Sequence, residues 1–197
     1  MQGFPAADDQ ATAVATQALV EFYQRLSDEL DTAIGRGEQR VEYVPVEVAT
    51  WHPDVHSYDV VRGSGDGAER LGRIHLDLHP REGKYNHAAC FGIAPGITGR
   101  VVPEAALLCN FSRGLMTHDE VTTFFHEFGH LVHDILGGAQ RFVRFSGVAT
   151  EWDFVEAPSQ LLEEWAWDAS VLRTFATDSE GVPIPVELVT AMKAADE

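Results

Sequence analysis

Cysteine is nearly absent: Cys90 and Cys109 are the only two in 197 residues. Both stand in apolar, strand-like runs, so they predict buried, reduced thiols rather than a disulfide framework, and neither sits at a cysteine metal-site spacing. Basic residues are also scarce, with 14 Lys and Arg against 31 Asp and Glu and a formal charge of −17. That balance argues against a nucleic-acid backbone or an anionic membrane as partner and suits neutral or cationic ligands. No apolar run approaches a membrane span, and the opening MQGFPAADDQ lacks a basic region followed by an apolar core. Internal repeats and low-complexity segments are absent too, so the expectation is a cytoplasmic protein that binds neither nucleic acid nor membrane.

What is present is enough apolar material, 45% of the chain, to build the core of one domain over residues 1–197. The stretch Thr117 to Gly138, THDEVTTFFHEFGHLVHDILGG, organises it. Thr117 with Glu120 three residues on makes a capping box, and Asp119 and Glu120 put negative charge in the first turn. Val121, Phe124, Phe125, Phe128, Leu131, Val132 and Ile135 recur at three- and four-residue spacing, and Gly137-Gly138 supplies the stop.

This helix carries His126, Glu127 and His130 in the order His-Glu-x-x-His. A helix advances by about 100° per residue, so two imidazoles four positions apart lie on one face and can converge on a single cation. Glu127 projects away from that line, where it can face a water as general base without being a ligand. A third ligand is required, and the segment DFVEAPSQLLEEW offers Asp153, Glu156, Glu163 and Glu164. Two helical histidines can also simply cap or pack, so the third ligand decides between the readings.

Along the chain, Val14, Leu19, Val20, Phe22, Tyr23, Leu26, Leu30 and Ile34 predict a helix between Asp9 and Arg36. VEYVPVEV from Val41, VHSYDVV from Val55 and the run Leu71 to Leu78 predict hairpin-connected strands, with Pro45 marking an edge or a bulge. Ile74 to Ile93 places two strands around the corner Pro80 to Lys84. The bland expectation there is a charged turn at Arg81, Glu82 and Lys84, with His75, His79 and His87 as exposed strand residues. Ala105 to Phe111 reads as a buried strand directly before the metal helix. A second helix is expected from roughly Asp153 through Thr174, started or kinked near Pro158, and a last one over VELVTAMKAA.

Three blocks, LDLHPREGKYNHAACFG, FFHEFGHLVH and FSGVATEWDFVEAPSQLLEEW, together resemble the thimet oligopeptidase family of zinc metallopeptidases, which includes neurolysin and oligopeptidase A. The resemblance covers about half the chain, Leu76 to Trp165, with the WHPDV segment at Trp51 extending it upstream. It implies one Zn2+ held by His126, His130 and Glu156, with Glu127 as catalytic base and short peptides as substrates. His133, which falls almost in line with His126, matches a family histidine that is not a ligand and takes a neighbouring or packing role. Asp153, one turn before Glu156 if both are helical, is expected to hydrogen-bond a ligand histidine. The strand residues His87, Ala88, Ala89, Cys90, Phe91 and Gly92 inherit the family's peptide-docking edge.

The implied fold is α+β of the zincin type, mainly helical, with a small, mostly antiparallel sheet beside two ligand-bearing helices. The family's upper helical lobe, and the later glycine- and tyrosine-rich loop that supplies transition-state donors, have no counterpart, since tyrosine ends at Tyr85 and histidine at His133. The chain therefore reads as a peptidase catalytic core, with a complementary chain as a conceivable partner. The alternatives are a metal-binding remnant or partner-dependent lobe without turnover, and a lobe with no metal chemistry.

Overall fold

The computed structural model describes residues 41–63, 65–178 and 180–196, so the helix expected between Asp9 and Arg36 lies outside the described residues. Five strands form one sheet: β1 (Val41–Pro45), β2 (His56–Arg62), β3 (Glu69–Asp77), β4 (Ala89–Ala94) and β5 (Glu104–Leu108), in the order β1-β2-β3-β5-β4. The first three make an antiparallel meander, as their period-two pattern and turn residues predict. β1 is an edge strand with Pro45 at its end, where a missing N–H costs no ladder bond.

The corner at Pro80 to Lys84 does not close a hairpin. β5 inserts between β3 and β4, running parallel to β3 and antiparallel to β4, which leaves β4 as the second edge among the described residues. The sheet is thus mostly antiparallel, as expected, with one parallel pairing, and with the helices it makes an α+β fold.

The sheet's two faces differ in chemistry. Tyr58, Ile74 and Ala105 lie side by side in register, as do Leu76, Leu107 and Cys90, and this face packs on the long helix α1 (His118–Leu136). Phe124, Phe125, Phe128, Leu131 and Ile135 of α1 are almost fully buried there. Each such side chain contributes about 1.5–3 kcal/mol by leaving water, so α1 is anchored by its apolar stripe rather than by intrinsic propensity. The capping box forms as expected: Thr117 Oγ1 accepts from Glu120 N at 3.2 Å while Thr117 N donates to Glu120 Oε2 at 2.8 Å.

The opposite face is polar. Asp59 takes two hydrogen bonds from Arg73, and His75 joins Ser57 at 2.8 Å to Glu104 at 2.6 Å. Asp77, fully buried, accepts from Arg81 at 2.6 and 2.7 Å and from Trp51 Nε1 at 2.8 Å, and pairs with Lys84 Nζ at 2.9 Å. Lys84 Nζ also donates to the backbone oxygens of Asp77, His79 and Cys109. The expected exposed charged turn is corrected here: Lys84 and Arg81 turn inward onto one carboxylate, and His75 and His79 are buried. Glu82 and His87 remain exposed.

The expected second helix is broken into pieces. Residues 152–156 are a turn, α2 runs Ala157–Glu163 with Pro158 in its first turn, a 3-10 segment follows at Glu164–Trp167, and α3 (Ala169–Leu172) starts anew. Pro158 lacks an N–H and is tolerated only where that donor would be unpaired. Asp168 ends the run because its carboxylate caps Ser170 N and Val171 N with extended backbone, φ −92° and ψ 121°. The last helix, α4 (Val186–Asp196), matches expectation. No helix of the described residues is long and apolar enough to cross a membrane.

Candidate metal centre

His126 and His130 are on α1, one turn apart, and the return segment brings Glu156 over them. His126 Nε2 and His130 Nε2 lie 3.2 Å apart, and Glu156 Oε2 stands 3.3 Å from the first and 3.1 Å from the second. The three atoms make a nearly equilateral triangle. A tetrahedral cation with bonds of about 2.0–2.1 Å needs ligand atoms about 3.3–3.4 Å apart, so the spacing fits a small divalent metal. Lone pairs of two imidazoles and a carboxylate aimed at one point repel one another unless positive charge lies between them. The donor set therefore suits a cation on both geometry and charge.

The tautomer is determined by Glu163. Its Oε1 accepts a short hydrogen bond from His126 Nδ1, which puts the ring proton there and frees Nε2 toward the cluster. Glu163 was one of four candidate carboxylates in the sequence, and it sits two helical turns beyond Glu156. Asp153 does not take this role. It is exposed in the 152–156 turn and makes no hydrogen bond or ion pair to either histidine, because Glu156 is the residue before α2 rather than a turn into a helix that also holds Asp153.

His133 does not join the cluster. Its ring meets Phe154 edge-on at 6.1 Å between centroids, its Nδ1 is buried without a hydrogen-bond partner, and burial, with the nearby His130, keeps its pKa below the ordinary value. Glu127 is half-buried, and its carboxylate makes no hydrogen bond or ion pair with another described residue.

The segment His87 to Gly92 lies where a docking edge would have to be. Ala89 to Gly92 form most of β4, whose only strand partner among the described residues is β5. Cys90 and Gly92 share the face that looks toward α1. The Cys90 thiol is pushed far up by burial, with the carboxylates of Asp134 and Glu127 adding to the effect, so it is a protonated, unreactive small side chain. Cys109 is fully buried and Cys90 partly so, and both cysteines are free.

Two residues that sequence reading passed over hold the geometry together. A Cβ on Gly129, between Glu127 and His130, would lie 2.6 Å from Ser159 Cα and 3.1 Å from Pro158 O, so only glycine lets α2 approach α1 this closely. His118 Nε2, at the other end of the contact, bonds Ala166 O at 2.8 Å. The glycine inside a ligand motif could have signalled a close backbone approach, but not which segment approaches.

The sequence model of peptidase family M3 matches residues 28–197. The thimet-like oligopeptidase of Dictyostelium discoideum is 42% identical over 158 residues, which are 74% of this chain and 23% of that protein. Saccharolysin of Saccharomyces cerevisiae is 40% identical over 157 residues, 73% of this chain and 22% of the relative. Oligopeptidase A of Escherichia coli is 38% identical over 161 residues, 76% and 23% respectively. The chain thus spans less than a quarter of the length of these relatives.

Proposed function

The chain belongs to peptidase family M3, and from that premise we propose that it is the zincin-type catalytic core of a zinc-dependent oligopeptidase that hydrolyses short peptides. The observation that carries this reading is the triangle of His126 Nε2, His130 Nε2 and Glu156 Oε2 with sides of 3.1 to 3.3 Å. Two imidazoles and one carboxylate suit zinc better than a hard cation such as magnesium or calcium, and three protein ligands leave a position open for chemistry.

When bound, zinc supplies Lewis acidity that polarises a carbonyl oxygen and lowers the pKa of water. Glu127 takes the proton of the attacking water on its carboxylate and passes it to the departing amine nitrogen. Glu163 holds the proton at His126 Nδ1 and so keeps Nε2 a donor to the metal. The edge of β4 that pairs with no strand among the described residues binds peptide backbone as an added strand, with His87 to Gly92 as the docking segment.

The test is zinc stoichiometry combined with cleavage of a quenched peptide. One zinc per chain, and turnover that falls by about 10²- to 10⁴-fold in Glu127→Gln without loss of zinc, are expected. A second reading, a lobe that holds metal but cleaves only with a complementary chain, is favoured by the small share of the relatives that this chain spans. Stoichiometric zinc with no Glu127-dependent cleavage supports that second reading and sinks the first.

A further inference from the structure

We infer that Ser159 is a positioning residue of the metal centre, a buried hydroxyl that fixes the ligating oxygen of Glu156; this rests on the reading of His126, His130 and Glu156 as ligands. Ser159 is 0% exposed, although Glu156, Ala157, Gln160 and Leu161 around it are all exposed. Its Oγ lies 2.9 Å from Glu156 O and 2.9 Å from Glu156 Oε2. A hydroxyl has one proton to donate, and a serine that only bonds back to the carbonyl three residues earlier has no need of the second contact.

The oxygen it reaches is the one that faces both imidazoles. Glu156 has a side chain 47% exposed, and a long carboxylate so open to water samples many rotamers. A hydroxyl against Oε2 removes that freedom before any metal arrives. Ser159 cannot drift either, since its Cα is wedged beneath Gly129 of the helix that carries the two histidines. One residue thereby couples the distance between α1 and α2 to the aim of the third ligand.

The test compares zinc affinity, by competition with a chromophoric chelator, and the visible absorption of the Co2+ form, across wild type, Ser159→Ala, Glu156→Ala and the double variant. Ser159→Ala is expected to bind zinc about 10- to 100-fold more weakly and to shift the Co2+ bands. In the Glu156→Ala background the same change is expected to cost no more than about twofold, because Ser159 acts through Glu156. Ser159→Thr keeps the hydroxyl and is expected within about threefold of wild type; should the alanine variant not fold, this variant decides, and a larger loss overturns the proposal. Wild-type affinity in Ser159→Ala, or a loss repeated in full in the Glu156→Ala background, also overturns it. Wild-type affinity in Glu156→Ala would instead overturn the assignment of Glu156 as ligand.

Discussion

Glu163 Oε1 accepts the Nδ1 proton of His126, two helical turns beyond Glu156, so one short segment supplies both a candidate third ligand and the group that orients the first. Removing the orienting carboxylate leaves the imidazole free to rotate and to change tautomer. Glu163→Ala is expected to weaken zinc binding by about 10- to 100-fold. Glu163→Gln, whose amide oxygen can still accept from Nδ1, is expected to lose less. Metal titration of the pair checks the order, and a Gln variant worse than Ala would refute the orienting role.

Asp153 and Glu156 are separated by the same measurement. Glu156→Ala is expected to abolish tight zinc binding, since it removes the one carboxylate in the triangle. Asp153→Ala, at an exposed turn position away from the histidines, is expected to lie within about 0.5 kcal/mol of wild type in stability and near wild type in zinc affinity. Equal losses in the two variants would mean that the turn rearranges on binding metal.

Gly129→Ala is expected to disrupt the centre without touching a ligand. Its Cβ would fall 2.6 Å from Ser159 Cα, and backbone cannot yield as a flexible side-chain tip can. Overpacking of this kind costs about 1–3 kcal/mol, and α2 would move away from α1 carrying Glu156 with it. Thermal unfolding of the metal-free protein reads the first effect and zinc affinity the second; unchanged affinity would show that Glu156 adjusts independently of α2.

Asp77 sets an acid limit on stability. Burial alone would raise its carboxyl, but hydrogen bonds from Arg81, Trp51 and Lys84 outweigh burial and hold it far below the usual carboxylate range. A depressed folded-state pKa contributes stability that is present above the unfolded value of about 3.9 and is lost as pH falls below it. The melting temperature is therefore expected to decline below about pH 4. Asp77→Asn is expected to cost about 3–5 kcal/mol at neutral pH, because it strands two cations, and to flatten the decline in acid. A parallel acid decline in the variant would assign it to other carboxylates.

How much of this was legible before folding differs from element to element. The α1 helix, its cap and its buried stripe were readable because each rests on residues within a turn or two of one another, and the meander of β1 to β3 follows from alternation and turn residues. The break at Asp168 is not legible, although the capping aspartate is there in the sequence, because the apolar and acidic run from Leu161 to Ala169 is continuously helical in pattern and only the folded backbone shows the competing cap.

Local sequence by itself determined that His126 and His130 share a face, with Glu127 beside them, because helical periodicity enforces it. It determined no distance beyond the helix. Whether Asp153, Glu156, Glu163 or Glu164 would meet those histidines depended on where α2 begins and how closely it crosses α1, which Pro158 and the Gly129–Ser159 contact decide together. The same holds for the corner at Pro80 to Lys84: its charges read as solvated until the burial of Asp77 beside β5 and the approach of the Cys109 carbonyl to Lys84 are seen. A buried charge is retained only where its hydrogen bonds are completed, and here tertiary packing adds Trp51 to Asp77 and the Cys109 carbonyl to Lys84, partners that the local sequence does not supply.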